Sequence, residues 1–156
     1  MRCSPADHLA LNYRGLAYYD QGDLDRAIAD FSASIQCYPQ QSIAYCNRGF
    51  MRAEQGQDWE AIADYNRAID LNPEFAEAYY NRGGVRYGQR DLEGAIADFS
   101  RAIDLNPEYA PAYGNRGIVY QSLQRYRESL SDLNRAIELG LEEAIPIRDE
   151  VLRLLE

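Results

Sequence analysis

The sequence predicts an all-α solenoid, in which helix pairs of equal length stack one after another along the chain. The prediction rests on columns of like residues that recur at a constant spacing of 34, a period typical of helical repeat proteins. Three columns carry glycine, a small residue and a large apolar residue, in that order: Gly15, Gly49, Gly83 and Gly117; Ala27, Ala61, Ala95 and Ser129; Phe31, Tyr65, Phe99 and Leu133. Four repeats therefore run from His8 to Glu143 without an insertion.

Each repeat is expected to form two helices joined by a short turn. In the first helix of the first repeat, apolar residues recur at helical spacing at Leu9, Tyr13 and Leu16. Gly22 breaks this helix, and Asp23 is the expected N-cap of the second helix. Pro39 ends the second helix because it lacks an amide hydrogen and clashes with the preceding turn.

The glycine and the small residue are expected to mark the place where the two helices of a repeat approach closely. Short side chains are needed there because bulkier ones would hold the helices apart. Gly83 and Ala95 form such a pair in the third repeat. A larger residue at Gly83 is therefore predicted to overpack the contact between the helices.

The boundaries of the predicted segments follow from the register of the repeats. They are a lead-in at 1–7, repeats at 8–41, 42–75, 76–109 and 110–143, and a C-terminal capping helix at 144–156. Ser4 is a candidate helix cap within the lead-in. In the last segment, apolar residues share one helical face at Ile147, Val151, Leu154 and Leu155, which is typical of a helix that covers the end of a solenoid. The other interpretation is a docking helix for another chain.

The composition argues against several classes of function. Twenty-five acidic residues against 16 basic ones, all of them arginine, give a net charge of −9, which is unfavourable for binding a phosphate backbone. We therefore expect no nucleic-acid partner. No apolar run is long enough to span a bilayer, and the N-terminus lacks the apolar region of a secretory signal. These features predict no direct membrane insertion and a cytoplasmic location. The three cysteines, at Cys3, Cys37 and Cys46, lack regular spacing and are expected to be reduced thiols.

No set of residues points to catalysis, to a metal site or to a cofactor. His8 is the single histidine, so zinc has no obvious set of ligands. The sequence has no glycine-rich phosphate loop and no lysine to complete one. We therefore expect a protein that is not an enzyme and that binds no cofactor and no metal.

Two charged columns recur once per repeat. The aspartates are Asp30, Asp64, Asp98 and Asp132, and the arginines are Arg14, Arg48, Arg82 and Arg116. The arginines form either a row that binds a ligand or a structural ladder that pairs with the aspartates or with backbone carbonyls, and we favour the ladder. The aspartates are also expected to pair with arginines three residues further along the same helix, as in Asp64 and Arg67.

The repeat resembles the tetratricopeptide repeat (TPR). The resemblance is carried by a small residue at position 8 of the unit, alanine at 20 and 27, an aromatic residue at 24 and proline at 32. Two positions depart from the family pattern. Position 4, often tryptophan, holds Leu11, Tyr45, Tyr79 and Tyr113, and position 7, usually leucine, holds the arginine column. The resemblance implies a right-handed superhelix in which the first helix of each hairpin lines a concave groove.

An asparagine column is the main candidate for binding within that implied groove. Asn47, Asn81 and Asn115 occupy position 6, where the first repeat has Tyr13 instead. They resemble the asparagine ladder of the O-GlcNAc transferase repeats, which holds a peptide by its backbone. An amide suits this role because it offers hydrogen-bond donors and an acceptor together. The other interpretation is that each asparagine bonds an adjacent helix within the scaffold.

Further groove positions carried over from the family supply candidate aromatic anchors for a bound chain. These anchors are Phe50, Tyr80 and Tyr87. The same positions in the first repeat hold Asn12, Leu16 and Tyr19. Packing within the core is the other interpretation of all three anchors, and it is favoured for Phe50.

The resemblance implies a non-enzymatic protein-interaction scaffold that binds an extended or helical peptide segment of a partner protein. The carboxylate clamp of chaperone-binding TPR domains needs lysine and arginine at groove positions, and here those positions lack the cations. The acidic C-terminus of a heat-shock chaperone is therefore not the expected ligand. Two alternatives stay open: a self-associating structural building block, hence a homo-oligomer, and an assembly factor for a larger complex, including a membrane complex.

Overall fold

The computed structural model describes residues 5–155, with side chains from residue 7 onward. Throughout this part of the chain the secondary structure is helical, as the sequence predicts. The chain divides into two compact units, one up to Ala78 and the other from Tyr79. The cap expected at Ser4 and the thiol of Cys3 lie outside the described residues.

The first unit contains two helix hairpins. Its helices are α1 (Pro5–Asp20), α2 (Leu24–Cys37), α3 (Ser42–Glu54) and α4 (Asp58–Leu71). α1 packs on α2, α2 on α3, and α3 on α4. Asp23 caps α2 as predicted, because its carboxylate accepts a hydrogen bond from the Arg26 amide at 3.0 Å. Gly22 precedes this cap with a φ of +76°, a conformation that glycine adopts without steric cost.

The second unit continues the hairpin pattern and ends with one more helix. Its helices are α5 (Ala76–Gly88), which begins just before the boundary between the units, α6 (Leu92–Leu105), α7 (Ala110–Ser122), α8 (Tyr126–Glu138) and α9 (Ile145–Arg153). Asp91 caps α6 by accepting a hydrogen bond from the Gly94 amide at 3.0 Å. Two residues that are not glycine adopt positive φ angles in the turns within the hairpins. They are Arg90, between α5 and α6, with a φ of 66°, and Gln124, between α7 and α8, with a φ of 59°.

The close approach of the two helices at the glycine column is confirmed in every hairpin. A Cβ atom added to Gly83 would lie 2.9 Å from a ring carbon of Phe99, and one added to Gly117 would lie 2.9 Å from Cγ of Leu133. Gly15 and Gly49 face the rings of Phe31 and Tyr65 at 3.1 and 3.0 Å in the same way. The glycine therefore leaves room for the large apolar residue of the second helix, which is fully buried in each repeat.

The last helix, α9, covers the apolar end of the α7–α8 hairpin. Val151 and Ala144 are buried in one cluster with Leu133 and Ala136 of α8, and Ile147 packs against this cluster. The predicted apolar face is only partly correct, because α9 ends at Arg153 and the two leucines that follow it are exposed. None of the helices between residues 5 and 155 is both long and apolar enough to cross a membrane.

The cysteines do not all fit the expectation of reduced thiols. Cys46 is a reduced thiol, buried on α3. Cys37, at the C-terminal end of α2, is disulfide-bonded. The expectation is therefore wrong for Cys37, because irregular spacing along the sequence does not determine which cysteines meet in the folded chain.

Candidate functional site

An exposed apolar cleft of the first unit lies between α1 and α3. Its volume is about 380 Å³. The α1 wall is formed by Leu9, Asn12, Tyr13 and Leu16, and the α3 wall by Ile43 and Asn47. Residues 40–42, which lead into α3, complete the rim. We call this feature the α1–α3 cleft.

The apolar side chains of the α1–α3 cleft are unusually exposed. Tyr13 is 72% exposed and Leu9 is 51% exposed, and the side chains of Leu16 and Ile43 are also exposed. Leu9 and Tyr13 are four residues apart and share one face of α1. The opposite face of the helix, which carries Gly15, packs on α2. The apolar spacing predicted from the sequence is therefore present, but this face is open to solvent instead of lying in the core.

The amides of the α1–α3 cleft differ in how they are held. The Asn12 side-chain nitrogen donates a hydrogen bond to the Gln41 side-chain oxygen at 2.9 Å, whereas Asn12 Oδ1 is buried without a partner among the described residues. The half-buried Asn47 side chain makes no hydrogen bond within residues 7–155. One predicted site residue thus lies in the cleft with its hydrogen-bonding groups unused.

In the second unit, two predicted site residues bond each other. The Asn115 side-chain nitrogen donates to the Tyr80 hydroxyl at 3.1 Å and so connects α7 to α5. The Tyr80 ring packs against Phe99 and Tyr109, with ring centroids 5.8 and 4.9 Å apart. Burial raises the pKa of the Tyr80 hydroxyl, and the hydrogen bond from Asn115 acts in the opposite direction. These contacts match the scaffold interpretation for Asn115 and Tyr80.

The remaining predicted site residues are half-buried side chains. The Tyr87 hydroxyl lies 3.4 Å from the Ser122 hydroxyl, and its ring packs against the Phe99 cluster. Phe50 packs against the cluster of Phe31 and contacts Tyr19 edge to face, with centroids 5.6 Å apart. Asn81 lies half-buried on α5.

Sequence reasoning did not assign Leu9 and Ile43 to the site. A signal was present at position 2 of the unit, which holds Leu9 and Ile43 in the first two repeats but Glu77 and Pro111 in the last two. An apolar residue there resembles an ordinary core position until its exposure is known. The structure brings these two residues together with Asn12, Tyr13, Leu16 and Asn47.

The charged columns form the structural ladder that we favoured. Each position-7 arginine donates two hydrogen bonds, from Nε and from one terminal nitrogen, to the aspartate 16 residues further along the chain. The pairs are Arg14–Asp30, Arg48–Asp64, Arg82–Asp98 and Arg116–Asp132, with distances of 2.6 to 2.9 Å. Such bidentate ion pairs are the strongest class of side-chain hydrogen bond.

The predicted pairing of arginines and aspartates three residues apart is wrong. Asp64 accepts a further hydrogen bond from Arg52 at 2.6 Å, so its carboxylate is already filled by arginines of the facing helix. The Arg67 guanidinium instead lies over the Tyr45 ring, 6.0 Å from the ring centroid. The hairpin contact therefore decides the pairing, and the local helical spacing does not.

The arginines of position 7 also contact the tyrosines that occupy position 4 in the last three repeats. Arg48, Arg82 and Arg116 lie over the rings of Tyr45, Tyr79 and Tyr113 at 5.5 to 5.8 Å, so the tyrosine of position 4 contacts the arginine of position 7. Arg48 and Arg116 also donate to hydroxyls of the preceding hairpin, at Ser32 and Ser100. Burial lowers the pKa of Arg116, but the hydrogen bond and the charge of Asp132 outweigh it, and the pKa is raised overall. These arginines are thus engaged within the scaffold.

Family models of the tetratricopeptide repeat match the chain at residues 8–41, 76–109 and 110–139, and a TPR repeat model matches residues 51–90. The chain belongs to the tetratricopeptide repeat family. No curated protein sequence matches it.

Solved structures of TPR proteins are similar to this chain. The first TPR of Spaghetti (RPAP3), bound to the HSP90 peptide SRMEEVD, is 27% identical with a TM-score of 0.76, covering 80% of this chain and 98% of that chain. The first TPR domain of human RPAP3 is 28% identical with a TM-score of 0.75, covering 78% and 96%. The MamA protein is 23% identical with a TM-score of 0.80, covering 96% and 88%, and shows the fold alone. These similarities confirm the all-α TPR solenoid class.

The geometry favours non-covalent binding. Within residues 7–155, no group of three or more His, Cys, Asp or Glu side chains is placed to hold a metal ion. The α1–α3 cleft offers apolar side chains for contact and amides for hydrogen bonds. Proteins of this family serve as interaction scaffolds, so a role in protein–protein interaction is the function that fold and family support.

Proposed function

We propose that the chain is a non-enzymatic scaffold that binds an extended or helical peptide segment of a partner protein. The observation that carries the proposal is the α1–α3 cleft, where exposed Leu9, Tyr13 and Ile43 lie beside the unbonded amide of Asn47. Exposed aromatic and apolar side chains around a few polar groups are what peptide-binding surfaces offer. A similar TPR structure holds the HSP90 peptide SRMEEVD, which supports peptide binding by this fold.

Among the predicted site residues, Asn47 has the strongest support for peptide contact. Asn81, Phe50 and Tyr87 stay candidates. Tyr80 and Asn115 are also retained, although a bound peptide would have to compete with the hydrogen bond that they share. It also stays a prediction that the four repeats form one continuous solenoid with the proposed boundaries. We propose no cofactor and no nucleic-acid partner.

A selection from a random peptide library tests the proposal directly. The wild-type chain is expected to enrich a family of peptides that the Tyr13→Ser variant fails to bind. Trp59→Ser is the matched control, because Trp59 is 76% exposed on α4 and is absent from the cleft. Failure of the folded wild type to enrich any peptide, or equal enrichment by Tyr13→Ser, would contradict peptide binding at this cleft.

A second variant set addresses the asparagine column. The Asn47→Ala single variant is expected to weaken binding of an enriched peptide about as much as the Asn47/Asn81/Asn115→Ala triple variant. The reason is that Asn47 alone lies in the α1–α3 cleft. A much larger loss in a folded triple variant would show that the whole column holds the peptide.

Self-association is a second candidate, and one observation favours it. Leu152, Leu154 and Leu155, at the end of the second unit, are all exposed. Light scattering across a range of protein concentrations tests this function: a monomer at every concentration contradicts it. A role as an assembly factor for a larger complex has no specific support from the described residues.

The cytoplasmic location stays a prediction. The disulfide bond at Cys37 points the other way, because disulfide bonds are rare in cytosolic proteins. Fractionation of the native source, with the oxidation state of Cys37 measured in the same sample, decides between the two.

A further inference from the structure

The two units differ in net charge. Residues 1–78 contain twelve aspartates and glutamates against six arginines, a net charge of −6. Residues 79–156 contain thirteen carboxylates against ten arginines, a net charge of −3. The acidity of the protein is therefore concentrated in the unit that contains the α1–α3 cleft.

The five arginines of the first unit whose side chains the structure describes all contact other side chains. Arg14 bonds Asp30, Arg48 and Arg52 bond Asp64, and Arg26 bonds Asp23, while Arg67 lies over the Tyr45 ring. In contrast, six exposed carboxylates of this unit form no salt bridge within the described part of the chain: Asp20, Glu54, Glu60, Asp70, Glu74 and Glu77. The surface of residues 7–78 thus carries an excess of negative charge that salt bridges among the described residues do not neutralise.

We infer that the α1–α3 cleft binds a cationic amphipathic peptide, in which apolar side chains are flanked by arginine or lysine. This inference rests on the proposed function and names its partner class. Leu9, Leu16 and Ile43 provide apolar contact for the apolar side chains. The negative charge of the unit attracts a cationic segment and disfavours an acidic one. The exposed ring of Tyr13 can also receive a guanidinium on its face.

The second unit does not offer the same combination. The Cβ of any larger residue at Gly114 would lie 2.7 Å from a methyl carbon of Leu141, so this groove position is already filled. Asn115 is bonded to Tyr80, and Pro111 stands at the position that Leu9 and Ile43 occupy in the cleft. Recognition of the cationic peptide is therefore assigned to the first unit.

Three pools of fluorescent peptides of equal length test the inference by anisotropy. The first pool combines leucine or phenylalanine with arginine, the second replaces every arginine with glutamate, and the third keeps arginine and replaces the apolar residues with serine. The first pool is expected to bind at least about tenfold more tightly than the other two. Its affinity is expected to fall about tenfold when ionic strength rises from about 0.05 M to about 0.5 M, because screening weakens the attraction between exposed charges.

Matched variants locate the binding site. Leu9→Ser is expected to weaken binding of the first pool about tenfold, and Trp59→Ser serves as its control because Trp59 is exposed on α4 and lies outside the cleft. Equal or tighter binding of the glutamate pool, or binding insensitive to salt, would overturn the cationic class. In either of these cases, if Leu9→Ser still weakens binding of the peptides that bind, the proposed peptide-binding function stands while this inference fails. If no pool binds to the folded protein, both fail.

Discussion

Removing one carboxylate from the ladder is expected to destabilise the second unit strongly. Asp98 is the most informative choice, because its side chain is only 4% exposed and accepts three hydrogen bonds. Two come from Arg82 at 2.9 and 2.6 Å, and one comes from Arg86 at 2.8 Å. The Asp98→Ala variant removes the carboxylate that accepts two hydrogen bonds from Arg82, whose side chain is only 14% exposed.

The magnitude follows from the cost of breaking a buried ion pair on one side. That cost is about 3–5 kcal/mol, and we expect the lower end, because Arg82 keeps its contact with the Tyr79 ring and Arg86 lies 3.6 Å from Asp91. A loss of about 3 kcal/mol corresponds to a fall in melting temperature of roughly 6–12 °C for a chain of this size. The Arg82→Leu/Asp98→Ala double variant is expected to recover part of this loss, since the guanidinium that loses this carboxylate is removed with it.

Urea unfolding followed by circular dichroism measures the effect. Asp104→Ala is the matched control, because Asp104 lies on the same helix, α6, and is exposed. The reasoning is refuted if Asp98→Ala costs no more than Asp104→Ala. It is also refuted if the double variant is less stable than Asp98→Ala alone.

Four further predictions concern the scaffold. Gly83→Leu is expected to lower the free energy of unfolding by about 1–3 kcal/mol, because the new Cβ would lie 2.9 Å from the Phe99 ring. Gly84→Leu is the control, because a Cβ at Gly84 meets nothing within 4 Å. Equal melting temperatures for the two variants would count against the contact at Gly83. Gln124→Gly is expected to raise the free energy of unfolding by up to about 1 kcal/mol, because glycine adopts the positive φ of this position without strain. The urea midpoint should rise accordingly, and a lower midpoint would contradict this. Val151→Asp is expected to destabilise α9 by about 3 kcal/mol or more, while Leu154→Asp, at an exposed site, has little effect. Deletion of residues 144–156 is expected to yield an unstable or aggregating protein, and an equally stable monomer would refute the capping role.

The repeat pattern was predictable because a solenoid presents the same contact at each repeat. Gly83 and its equivalents recur at a constant spacing because the two helices of each hairpin cross at the same place. In all four hairpins the glycine faces the large apolar residue of the second helix. Proline and the capping aspartates are local signals, so helix ends such as those of α2 were also predictable.

The pairing within the charged columns was only partly predictable. Spacing along one helix favoured Asp64 with Arg67, but the helix crossing brings Arg48 and Arg52 to the same carboxylate at hydrogen-bond distance. A bidentate contact at close range outweighs a weak local pair on the surface. The partner of Asp64 is thus set by the facing helix, which the sequence pattern does not specify.

The candidate site was the least predictable feature. Leu9 and Tyr13 have the spacing of core residues, but the described residues of the first unit leave both side chains exposed. In contrast, Tyr80 and Asn115 occupy positions where the sequence predicts contact with a ligand, but their side chains form a hydrogen bond with each other. Repeats that are alike in sequence differ in what their neighbours cover, so equivalent positions can have different roles.

Mapping the bound peptide by nuclear magnetic resonance tests the central claim most directly. The cationic apolar peptide pool, or a single peptide selected from it, would be titrated into the labelled protein while backbone and methyl signals are followed. The account predicts that the largest changes occur at Leu9, Tyr13, Ile43 and Asn47, with smaller changes on α2 and α4. Changes centred on α9 or on the Tyr80–Asn115 contact, with the signals of the α1–α3 cleft unmoved, would contradict it.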